Sequence, residues 1–175
     1  MPHSMIVNQY NELVIMGTTG SYNFPTTPYA FSESFSTGSA ITYDGTVVFP
    51  FGVDIYVSRF SDDGTALPAS TYVGGTNNDG LNYREIYNAS QMIAYVGNDS
   101  LYANYGDGAR GELITDEQNN IYVGTTTFSS DFPVTQNAFQ TTFGGKQEGV
   151  VFKLDYALQT MIFSSFIGGE EDDAV

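Results

Sequence analysis

The sequence predicts an all-β protein, and three observations carry that prediction. Nineteen glycines accompany thirteen tyrosines and thirteen phenylalanines, a profile suited to short strands joined by tight turns. No window is dominated by helix formers such as Ala, Leu, Lys and Arg. One arrangement of strand-like runs occurs twice along the chain, and a fixed internal period is the mark of a repeat architecture. With 175 residues there is enough chain for one ordinary core.

The first element is a hairpin. "SMIVNQYNELVIMGTT" (4–19) lies under "GELITDEQNNIYVGTT" (111–126), so that Val14, Ile15 and Met16 fall on Ile121, Tyr122 and Val123. The polar stretch inside each copy is rich in Asn and Asp, whose side chains bond the local backbone and tolerate left-handed dihedrals. A Phe-Pro segment follows: "SYNFPTTPYAFS" (21–32) is echoed by "SSDFPVTQNAFQ" (129–140). A second hairpin closes each unit, with "DIYVSRFSDDGTALPASTYVGG" (54–75) under "EGVVFKLDYALQTMIFSSFIGG" (148–169). Val150, Phe152 and Leu154 alternate with Val151 and Lys153, the period of two expected of a strand. Two segments lie outside the repeat. One is a hairpin insertion near 35–52, where "ITYDGTVVF" carries an Asp-Gly turn; the other is a Tyr- and Asn-rich insertion over 81–109.

These boundaries divide the chain into a first unit (1–80), the insertion (81–109), a second unit (110–169) and the start of a third (170–175). Two four-stranded units are too few to close a propeller, which takes about four to eight blades. The expectation is therefore part of a larger β-propeller-like array, completed by the rest of its own chain or by further copies. The start "MPHSMIVNQYNELVIMG" lacks the basic and apolar regions of a signal peptide, consistent with a mature chain or a piece of a longer one.

Twenty acidic residues face five basic ones, and a net charge of −15 opposes binding to nucleic acid or to anionic lipid. No apolar run reaches the roughly 18 residues of a membrane span, so membrane insertion is not expected. Without cysteine there is neither a disulfide framework nor thiolate chemistry. His3 is the sole histidine, which excludes a Ser-His-Asp triad or a histidine metal site, and the chain reads as non-enzymatic.

Three groups of residues are candidates for function. Phe24, Pro25, Phe31, Phe132, Pro133 and Phe139 repeat with the units. They read as architecture, the proline ending a strand it cannot extend and Phe132 and Phe139 filling the gap between sheets; a repeated ligand pocket is the other reading. Asp79, Asp107 and Asp173 stand in acidic turns and are the calcium candidates, although none of these turns matches an EF-hand loop or the Gly-rich calcium nonapeptide. A repeated turn role competes with metal binding at Asp79 and Asp173, and the expected cofactor is none, or calcium. Tyr83, Tyr87, Tyr95, Tyr102 and Tyr105 crowd the 81–109 insertion, where a stacking ring with a bonding hydroxyl suits sugar or protein recognition. Covering a sheet edge is the alternative role for them. Asn88 and Asn98 open Asn-x-Ser sequons.

The combination "NNIYVGTTTFSSDFPVTQNAFQ", "GGKQEGVVFKLDYALQTMIFSSFIGGEEDD" resembles the repeat of bacterial β-propeller (SBBP-type) surface proteins, over most of the chain. "GVDIYVSRF", "GGTNNDGLNY" and "NYGDGARGELITD" are similar to large Bacteroidetes surface proteins with gliding-motility-associated C-terminal domains, exported by type IX secretion. "DSL" (99–101) is similar to their O-glycan acceptor pattern. The chain departs from the repeat at Gly149 and in its two insertions. The resemblance implies an extracellular or outer-surface bacterial location. It also implies a non-catalytic structural or adhesion segment that contacts protein or glycan at the cell surface through its inserted loops. Two alternatives stand beside it: a carbohydrate-binding or carbohydrate-active propeller, and a subunit of an extracellular filament.

Overall fold

The computed structural model describes residues 1–43, 47–88, 91–96 and 111–175. These residues form strands and turns, with no helix among them. The first unit is built from β1 (Pro2–Val7), β2 (Leu13–Thr19), β5 (Asp54–Phe60) and β6 (Ala69–Val73). They form an antiparallel sheet in the order β1-β2-β5-β6. The second unit comprises β9 (Glu112–Thr115), β10 (Ile121–Thr127), β11 (Glu148–Leu154) and β12 (Met161–Ile167). These strands pair antiparallel, each with its neighbour in sequence. Each unit is thus a four-stranded meander, as the repeat predicts.

The structure corrects the alignment of the first hairpins by one residue. Asn11 and Asn119 hold the left-handed conformation at matching turns, with φ of 59° and 58°. Asn8 Oδ1 accepts from the Tyr10 and Glu12 amides as Asp116 Oδ1 accepts from those of Gln118 and Asn120. Thr19 pairs with Asp54 where Thr127 pairs with Glu148. The correspondence therefore shifts: Gly17, Thr18 and Thr19 match Thr125, Thr126 and Thr127, and Val14 matches Tyr122 rather than Ile121.

The reason lies in packing. Val14, Met16, Ile55 and Val57 of the first sheet share one core with Ile121, Val123, Phe152 and Leu154 of the second. In the corrected register these sets have opposite parity, so one unit presents one face and its neighbour the other. Apolar letters then match best one residue out of register. Full burial of Phe152 and Phe166 contributes about 1.5–3 kcal/mol each to this shared core.

Both insertions become strands. β3 (Ile41–Tyr43) and β4 (Val47–Phe49) form one hairpin, and β7 (Tyr83–Asn88) and β8 (Gln91–Val96) another. A parallel bridge between Tyr43 and Ala94 joins them in a third sheet, ordered β4-β3-β8-β7. A small second core of Ile41, Val53 and Leu81, flanked by Met1, Phe49 and Phe128, lies beside the first. The Asp-Gly turn foreseen between β3 and β4 lies outside the described residues.

Candidate functional site

The seam between the two units begins with the loop after β6. Asp79 is fully buried there. Its Oδ1 accepts from the Thr127 hydroxyl, and its Oδ2 accepts from the Gly75 amide at 2.9 Å and the Ser129 hydroxyl at 3.0 Å. Around this clasp the Thr76 amide reaches Asp131 and the Asn77 amide reaches Ser129, while the Gly80 amide bonds Thr126 O and the Phe128 amide bonds Asn78 O. Asp54 accepts from the Ser36 amide at 2.6 Å. A Cβ on Gly74 would lie 2.7 Å from Asp79 Oδ2 and 3.1 Å from Asp54 Oδ1, so glycine is what allows both carboxylates to close on this turn. Burial pushes the Asp79 carboxyl up to about 8, opposed by its three hydrogen bonds and assisted by Asp54. Burial likewise pushes Asp54 up to about 7.

Asp173 repeats the arrangement. Its amide donates to Gln147 O as that of Asp79 donates to Val53 O, and its Oδ2 accepts from the Gly169 amide at 2.6 Å. Among the two calcium candidates within the described residues, Asp79 thus spends both oxygens on donors from the chain, and Asp173 sits in the equivalent turn. Asp107 lies outside the described residues. No group of three or more His, Cys, Asp or Glu side chains converges among the described residues.

A second contact pins the seam where β1 turns into β2. Arg59 pairs with Glu12, donates to Tyr156 Oη at 2.7 Å, and stands 3.8 Å from the centroid of the Tyr156 ring. Tyr156 Oη donates to Glu12 Oε2 at 2.9 Å. Burial works to raise the Glu12 carboxyl, but Asn8, Tyr156 and Arg59 together hold it below the ordinary range. Lys153, the counterpart of Arg59, pairs with Asp116 and donates to Tyr122 Oη, both at 2.8 Å. The repeat exposes Arg59 and Lys153 as equivalents; Glu12 and Tyr156 carry no signal in the sequence because the contact joins residues far apart in the chain.

The Phe-Pro residues divide. Phe132 is buried, its ring centroid 6.0 Å from that of Phe152 and 6.5 Å from that of Phe166. Phe24 is half-buried, 4.5 Å from Tyr56. Phe31 packs against the shared core and its amide donates to Leu158 O of the second unit at 2.8 Å. Two expectations are corrected. Pro25 and Pro133 end no strand, since β2 and β10 stop at Thr19 and Thr127 and a turn intervenes. Phe139 fills no gap: it is 91% exposed, because nothing within the described residues stands where the second unit stands for Phe31.

Tyr83 and Tyr87 lie in β7 and Tyr95 in β8, where Arg84 is opposite Tyr95. Asn88 ends β7. Tyr102, Tyr105, Asn98 and the "DSL" stretch lie outside the described residues. No protein-family model matches the chain, and no curated protein matches it.

Proposed function

We propose that this chain is a non-catalytic adhesion scaffold, a segment of an exported bacterial cell-surface protein of the β-propeller repeat type. Its four-stranded units are blades that supply a rigid stack, and its insertions supply the contact surface for a glycan or a protein. One observation carries this reading: the two segments that interrupt the repeat pair with each other in a separate sheet, joined at Tyr43 and Ala94. Loops grafted onto a rigid repeat are where binding residues concentrate. β7 and β8 bring Tyr83, Tyr87 and Tyr95 to that sheet, and tyrosine is suited to stacking on sugars or burying against protein.

The test is binding of the purified chain to a glycan array and to intact bacterial cells. A second chain, in which 83–110 is replaced by a short Gly-Ser linker, runs in parallel. Adhesion lost in the second chain, with its far-UV spectrum retained, is the expected result. Equal adhesion by both chains, or release of free sugar from a bound glycan, overturns it.

A further inference from the structure

The seam inside the chain is heterologous: the first unit offers one set of groups and the second a different set. Each unit nevertheless carries both sets. Among the described residues, no partner set faces the second unit's outward set or the first unit's inward set.

The outward set of the second unit includes Asp173 in its half-made clasp, Phe139 at 91% exposure, and a shallow apolar groove of ≈ 240 Å³ beside Ile114, Tyr122, Val151 and Phe163. Their counterparts in the first unit are Asp79, Phe31 and the β2–β5 face, all engaged by the second unit. The inward set of the first unit is equally legible. Thr19 Oγ1 accepts the Ser21 amide as Thr127 Oγ1 accepts the Ser129 amide, so the pair that receives Asp79 is present again. Met5 and Val7, 61% and 59% exposed, lie farther along that sheet on β1, opposite Ile15 and Leu13.

We propose that a second copy of this chain docks head to tail on this end. Asp173 of one copy reaches Thr19 and Ser21 of the next, and Phe139 seats its amide on Gly64 O, the counterpart of Leu158. The proposal rests on the reading that the units stack as blades. It follows by continuity with the internal seam, which already shows how one such face takes the other. Charge agrees locally: Lys153 occupies the place of Arg59, and the residue it would meet, at the position of Tyr156, is Asp62. Repeated head-to-tail contacts close into a ring if the rotation allows and otherwise extend as a filament. A net charge of −15 per copy opposes association, so salt promotes it.

Sedimentation velocity tests this on the whole chain at about 1–200 μM, a range that spans weak association. The wild-type chain assembles beyond a monomer, more so as salt is raised. Asp173→Ala and Ser21→Ala each weaken assembly about tenfold or more. Phe139→Glu does the same from a site too exposed to perturb the fold. Mixed in equal amounts, Asp173→Ala and Ser21→Ala chains form heterodimers that stop at two, since each retains one intact half. A monomer at every concentration, assembly indifferent to all three substitutions, or a mixture that recovers nothing would overturn the proposal. Adhesion measured at dilutions where the chain is monomeric reports separately on the insertions, so the two readings fail independently.

Discussion

Asp79 has no solvent around it, and a carboxyl in that position makes folding depend on pH. Its folded value near 8 lies above the unfolded 3.8, so the folded chain holds a proton that the unfolded chain releases between those values. Stability is then greatest below the unfolded value and is lost as pH rises towards 8. Asp54, raised to about 7, acts with the same sign. His3 acts against both: burial, helped by the nearby terminal amine, lowers it from 6.5 to about 4, so it adds stability as pH rises through that interval. Above pH 6.5 His3 is neutral in both states, and the terminal amine of Met1, lowered from 8.0 by burial, is what still opposes the two carboxyls there. Urea midpoints should fall from pH 6.5 to 8 in the wild type and fall less in Asp79→Asn; a midpoint flat or rising there in the wild type contradicts the assignment. The two halves of the Phe-Pro repeat give a second test. Phe132→Ala should cost about 3–5 kcal/mol, because it empties a packed site. Phe139→Ala, measured on dilute chain, should change stability by no more than about 0.5 kcal/mol. Sequence could not separate these residues. Both recur with the units, as the counterparts of Phe24 and Phe31, and recurrence does not tell which of them has something to pack against.

At the scale of elements, the hairpins were legible because Asn and Asp mark turns and apolar residues alternate between them. Their exact pairing was not, since Val14 and Ile121 look equivalent while belonging to opposite faces. What fixes the register is the turn itself, with Asn11 at φ 59°. Asn11→Gly should leave chemical denaturation nearly unchanged, whereas Asn11→Ala should cost about 1–2 kcal/mol, the penalty for a side chain forced left-handed. If alanine proves as stable as glycine, the turn does not set the register. The insertions show the other limit. The "ITYDGTVVF" hairpin could be read from its pattern, but its bridge to β8 joins Tyr43 to Ala94 across a long stretch of chain, and nothing local to either segment encodes it.

For the whole molecule, the four-plus-four strand organisation followed from the repeat, whereas the seam did not. Its components, Asp79 with Thr127 and Ser129, and Arg59 with Glu12 and Tyr156, meet only once two separately read units are placed together. The central claim is that the units share one core and one seam, rather than standing as two independent sheets. Native-state hydrogen exchange tests it most directly, at three amides whose acceptors lie across the seam: Phe31 to Leu158 O, Gly80 to Thr126 O, and Phe128 to Asn78 O. Protection of these three comparable to that of the central strand β11 is the result predicted here. Exchange at unprotected rates, with β11 still protected, would contradict it.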